Sequence, residues 1–142
     1  MSIIKWDDSY SVNNTEIDEQ HIKWIEIYND ALEHFLSRKH VSNAEIAANA
    51  IKKMHEYTKY HFEFEMAYMR EILYPEIASH RRLHKNFDVL IYNLLRQANK
   101  GEILLCTEIL KTIENWLLDH ILVEDKKYCK FAAEQRTNLY SK

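Results

Sequence analysis

The sequence predicts an all-α fold: an up-down-up-down four-helix bundle preceded by an irregular N-terminal arm. Two observations lead there. The 142 residues include one glycine, Gly101, and one proline, Pro75, so the chain lacks the turn residues that the many reversals of an all-β fold require. The remainder divides into four stretches whose apolar residues recur at helical spacing, and helices joined by short connections pack antiparallel.

Residues 1–17 form the arm, which carries Trp6, Tyr10, Asn13 and Asn14 without helical period. From Asp18, the positions Ile22, Ile25, Leu32 and Phe35 mark a first helix to about Arg38. Ser42-Asn43-Ala44-Glu45 has the form of a capping box, in which serine and glutamate satisfy free backbone N–H groups at a helix start. It opens a second helix through Ile46, Ile51, Met54, Phe62 and Met69 to about Ile72. Tyr74-Pro75-Glu76 interrupts the pattern, and the fixed φ of proline suits the first turn of a third helix. That helix reaches Lys100, with Gly101 just past its end, and a fourth runs from about Glu102 to Arg136. The bundle is thus expected over 18–136, within a single domain covering 1–142.

Charge and hydropathy exclude several classes. A formal net charge of −3 without a long basic stretch leaves no electrostatic footprint for nucleic acid. No apolar run approaches the roughly 18 residues of a membrane span. The segment Met1 to Asp8 lacks the layout of a signal peptide, so a cytoplasmic protein is expected. Cys106 and Cys129 on one continuous helix would stand roughly 35 Å apart, too far for a disulfide, and free thiols agree with a reducing compartment. No exposed apolar stripe forces association, and a monomer is favoured.

The eight histidines are informative through their placement. His61 and Glu65 are four apart on the second helix, and His80 and His84 are four apart on the third. Residues at that spacing share a helical face and can reach one ion. His21 falls near the start of the first helix and His120 in the fourth, so every helix offers a candidate ligand. His34, His40 and His55 fit no such pattern and read as surface or structural residues. Phe62, Phe64, Met66 and Met69 read mainly as core.

Imidazoles suit zinc, copper, iron and nickel, whereas carboxylates suit harder ions. Five imidazoles and two carboxylates are too many for one ion and enough for two. If two octahedral ions share two bridging carboxylates and one bridging oxygen, five imidazoles leave a single position vacant. A small molecule such as O2 would bind there. The second carboxylate is Glu124 or Asp125. Helical geometry alone favours Glu124, because i+4 lies about 40° from the face of His120 and i+5 about 140°.

Taken in order, Ile17-Asp18-Glu19-Gln20-His21, His61-Phe62-Glu63-Phe64-Glu65, Tyr74-Pro75-Glu76 with His80-Arg81-Arg82-Leu83-His84, and Trp116-Leu117-Leu118-Asp119-His120-Ile121 followed by Asp125-Lys126-Lys127-Tyr128 resemble the hemerythrin family. The chain looks most like its single-domain bacterial members, and the likeness extends to the arm with Trp6 and Val12. The resemblance implies two non-haem iron ions with a bridging oxo or hydroxo group. His80, His84 and His120 would ligate one iron, and His21 and His61 the other, which keeps the open position. Glu65 and Asp125 would bridge them, so the resemblance prefers Asp125 to Glu124 and implies a local adjustment of the fourth helix. Phe62, Trp116 and Leu117 would wall an O2 pocket, with Trp6 covering it from the arm. Gln20 and Glu63 are candidates to hold the ligand imidazoles. Two departures stand out: Met66 follows Glu65 where a second acidic residue is common, and Trp24 replaces a smaller aliphatic residue beside the site.

The resemblance implies reversible O2 binding, as a carrier, storage or delivery protein rather than an enzyme, with no catalytic residue. The histidine-rich donor set supports that choice, since fewer anionic ligands stabilise high-valent iron less. An oxygen or redox sensor, or an enzyme turning over peroxide or nitric oxide, is the alternative. A partner protein that receives the oxygen or the signal stays open.

Overall fold

The structure, a computed structural model, describes residues 3–37, 43–99 and 106–140. Its helices are α1 (Thr15–Ser37), α2 (Asn43–Glu71), α3 (Ile77–Asn99), α4 (Cys106–Asp119) and α5 (Asp125–Tyr140). A five-residue π-helical turn, His120–Glu124, joins α4 to α5, so these two and the turn between them form the fourth column of a four-helix bundle. Helix α1 packs on α2 and α4, and α2 also packs on α3 and α4. No helix of the described residues is long and apolar enough to cross a membrane.

Helix α1 begins at Thr15, three residues before the apolar period starts, because Asn14 caps it. The Asn14 side-chain oxygen accepts from the Ile17 N–H at 3.1 Å, and its carbonyl accepts from Asp18 at 2.8 Å. Such a cap contributes about 1 kcal/mol. The arm is held rather than loose. Ile4 exchanges backbone hydrogen bonds with the Asn29 amide in both directions at 2.9 Å. Asp18 accepts from the Val12 N–H at 2.9 Å and from the Ser11 hydroxyl at 2.6 Å. Lys126 donates to the Ser11 carbonyl, tying the arm to α5.

Pro75 lies in the turn before α3 rather than in its first turn, and regular helix starts two residues later at Ile77. The His80 N–H nevertheless reaches back to the Glu76 carbonyl at 3.1 Å. The proposed capping serine, Ser42, and the proposed stop, Gly101, fall outside the described residues, as does His40. The larger correction concerns the fourth helix, which is not one continuous α-helix from 102 to 136. It is interrupted at His120 and resumes to Tyr140.

Two apolar clusters make the core, and the candidate ligands lie between them. One cluster includes Trp24, Met54, Phe62, Phe87 and Leu117. The other includes Val12, Ile17, Met66, Met69 and Tyr128. Along α1, His21 falls between Ile17 and Trp24; along α2, His61 and Glu65 fall between Met54 and Met69. Each fully buried apolar side chain of this kind contributes about 1.5–3 kcal/mol. Those flanking layers keep water from the polar layer between them.

Candidate metal centre

Seven ionisable side chains meet in that layer. His21, His61, Glu65 and Asp125 are wholly inaccessible, and His80, His84 and His120 are at most 4% exposed. Burying so many ionisable groups together is costly unless they pair with one another or share a cation. Among the described residues they fall into two groups that could each hold an ion. Glu65, His80, His84 and His120 form one, and His21, His61, Glu65 and Asp125 the other, with the donor atoms of each group within 4.8 Å of one another.

The two carboxylates divide their oxygens between the groups. Glu65 Oε1 lies 2.8 Å from His80 Nε2, 2.9 Å from His84 Nε2 and 3.4 Å from His120 Nε2. Glu65 Oε2 instead faces His61 Nε2 at 3.2 Å and His21 Nε2 at 3.7 Å. Asp125 repeats the division: Oδ1 stands 3.1 Å from His80 Nε2 and 3.0 Å from His120 Nε2, whereas Oδ2 stands 2.9 Å from His21 Nε2.

Several of these atoms are close without being bonded. His21 Nε2, His61 Nε2 and both Asp125 oxygens are buried and make no hydrogen bond of acceptable geometry, although oxygen and nitrogen approach to about 3 Å. Orphaned buried polar atoms in such numbers are unusual in a folded protein. Lone pairs that converge on common points, instead of on each other's protons, suit cations at those points. The donor chemistry fits two ions with mixed nitrogen and oxygen ligands.

The π turn explains the choice of carboxylate. The Asp125 N–H donates to the His120 carbonyl five residues back, in place of the four-residue bond of an α-helix. The extra residue in that turn brings Asp125 onto the face of His120 and rotates Glu124 away. Glu124 pairs at the surface with Lys127 at 3.1 Å. Regular helical spacing therefore misleads here, because the helix is not regular.

The pattern of protonation follows from mutual proximity. Burial alone would raise the Glu65 carboxyl, but the imidazoles of His61, His120 and His21 crowded around it hold it well below its usual range. Burial works likewise against the charged form of Asp125, as does Glu65, yet His120 and His21 keep its carboxyl low. Burial also disfavours charge on His21 and His80, but the carboxylates of Asp125 and Glu65 outweigh it and lift both to about 9. His84, with Glu65 alone as acceptor, is pushed by burial down to about 4.

Supporting groups orient the candidate ligands. His61 Nδ1 donates to Gln20 Oε1 at 2.8 Å, which leaves its Nε2 lone pair directed inward. Glu63, the other candidate for such a role, is exposed on the outer face of α2. The Tyr128 hydroxyl donates to Glu65 Oε2 at 3.0 Å, a contact absent from the sequence reading. Its signal was present: Tyr128 stands three residues after Asp125, on the same helical face.

The expected pocket residues are distributed unevenly. Phe62 stacks on His84 with centroids 3.6 Å apart, and Trp116 stacks on His120 at 4.4 Å. Leu117 is fully buried in the same cluster, whereas Trp6 stacks on Tyr10 at 5.5 Å at the edge of that cluster. Trp24 is fully buried, and its ring lies 4.8 Å from that of His61. His34 and His55 are exposed on the outer surface, away from the site. Cys129 is free and half-buried.

A four-helix bundle whose interior gathers imidazoles and carboxylates into two adjoining donor groups is the architecture of a cation-binding helical protein. Residues 12–132 match the model of the hemerythrin HHE cation-binding domain. The chain is 31% identical over 130 residues to a bacteriohemerythrin of Stenotrophomonas maltophilia, covering 90% of this chain and 80% of that protein. It is 25% identical over 124 residues to one of Clostridium acetobutylicum, covering 87% and 96%. A crystal structure of wild-type hemerythrin superposes with a TM-score of 0.79 at 22% identity, covering 91% of this chain and 97% of the other, a likeness of fold. The chain belongs to the hemerythrin family, whose members bind non-haem iron.

Proposed function

We propose that this chain binds O2 reversibly at two non-haem iron ions. His80, His84 and His120 would hold one, His21 and His61 the other, and Glu65 and Asp125 would be shared between them. The observation that supports this reading best is the division of each carboxylate, one oxygen toward each donor group. Iron held by these residues would supply the reducing electrons on which reversible O2 binding depends.

The protein's part is to hold, orient and exclude. The two-histidine group has one imidazole fewer than its neighbour, so it is the half with a position to spare. Gln20 fixes the His61 tautomer that offers Nε2 inward, and Tyr128 steadies Glu65 through its second oxygen. Phe62, Trp116 and Leu117 surround the site with apolar and aromatic surface and keep bulk water away, which discourages loss of reduced oxygen species to solvent.

The test is the iron-loaded His61→Ala variant. It should keep its helical content and lose O2 uptake, measured anaerobically and then in air by absorption spectroscopy. Unchanged uptake would overturn the assignment. Irreversible oxidation of the unsubstituted protein would favour sensing or peroxide turnover instead.

A further inference from the structure

We infer that Trp24 roofs the spare position of the two-histidine group and sets an upper size on the ligand that can enter it. This rests on the reading of that group as the ligand-accepting half. Both carboxylates lie on the side of the site nearer Tyr128: Glu65 is one turn beyond His61 on α2, and Asp125 one π turn beyond His120. The opposite side belongs to the cluster of Trp24, Met54 and Phe62. Trp24 stands one turn after His21 on the same face of α1, with its ring 6.4 Å from that of His21 and 4.8 Å from that of His61. The ring is fully buried and also packs against Trp116 at 5.4 Å and Phe87 at 6.1 Å.

The orientation of the ring is fixed as well. The Trp24 indole N–H is directed at Met54 Sδ, a weak acceptor, which occupies the only polar group of the indole. The roof therefore offers bulk without a hydrogen bond. A diatomic such as O2 fits beneath such a surface more readily than a longer linear anion. An aliphatic residue at position 24 would leave several carbon atoms' worth of space there.

Cobalt(II)-loaded protein, kept anaerobic, separates this inference from any oxygen chemistry. Fluoride, azide and thiocyanate are titrated while the d–d spectrum reports their binding. The unsubstituted chain should bind fluoride in preference to the two longer anions. In Trp24→Leu and Trp24→Ala the ratio of azide to fluoride affinity should rise by about tenfold or more, with Trp24→Phe intermediate. Using a ratio discounts a general loosening of the site, which would shift all three anions alike. Equal ratios in the unsubstituted and Trp24→Leu proteins would overturn the inference. So would strong thiocyanate binding by the unsubstituted chain. Neither outcome depends on whether the iron form binds O2 reversibly.

Discussion

The backbone N–H of Asp125 bonds to the carbonyl of His120, five residues earlier, and this one π turn decides which acidic residue enters the site. In an α-helix Glu124 would share the face of His120, and Asp125 would point elsewhere. Here Asp125 is wholly buried among the imidazoles and Glu124 lies against Lys127. Replacing Asp125 by alanine should therefore lower iron content per chain by half or more, while Glu124→Ala leaves it unchanged. Metal analysis of the two purified variants, after identical loading, checks the contrast, and equal losses would sink it.

Gln20 should matter through His61 alone. The Gln20→Ala variant removes the acceptor of the His61 Nδ1 proton at 2.8 Å and frees the imidazole to adopt the other tautomer. Loss of such supporting partners lowers metal affinity by about 10–100-fold. Competition with a chromophoric chelator measures this directly. Glu63→Ala, on the exposed face of the same helix, should bind as the unsubstituted chain does.

The Tyr128 hydroxyl is a donor to Glu65 Oε2, so Tyr128→Phe keeps the packing and removes one hydrogen bond. Metal affinity should fall by about tenfold, with helical content intact. Unaltered affinity would show that the tyrosine serves packing only.

Tyr28 gives the fold a pH dependence on the alkaline side. Its hydroxyl donates to Glu114 at 2.7 Å, and burial, then that hydrogen bond and the Glu114 charge, raise the phenol above its ordinary value of 10.0. A group raised in the folded state contributes stability that is complete below pH 10 and disappears as the pH climbs through the folded value. Tyr28→Phe should cost about 1.5 kcal/mol at neutral pH, with a smaller difference between the two proteins above pH 10. Denaturant midpoints at pH 7 and above pH 10 test the sign.

Much of this arrangement was legible in the sequence because helices translate spacing into direction. The four-residue intervals from His61 to Glu65 and from His80 to His84 put each pair on one face, and the structure brings all four together. The scarcity of glycine and proline pointed to long helices for the same reason. What periodicity could not reveal was a departure from periodicity. The π turn has no composition of its own, and only family resemblance preferred Asp125 over Glu124. The start of α1 at Thr15 likewise depended on a cap at Asn14, which the apolar pattern does not register. Gln20 and Tyr128 reach their partners across the bundle, 41 and 63 residues away in sequence. Contacts between helices depend on register and rotation, which one sequence leaves open.

The central claim, reversible oxygen binding, is tested most directly by cycling the gas above the iron-loaded, fully reduced protein while recording its visible spectrum. The account predicts a charge-transfer band that appears in air, vanishes under argon and returns over repeated cycles. A single irreversible conversion to the oxidised spectrum, with no recovery under argon, would contradict it.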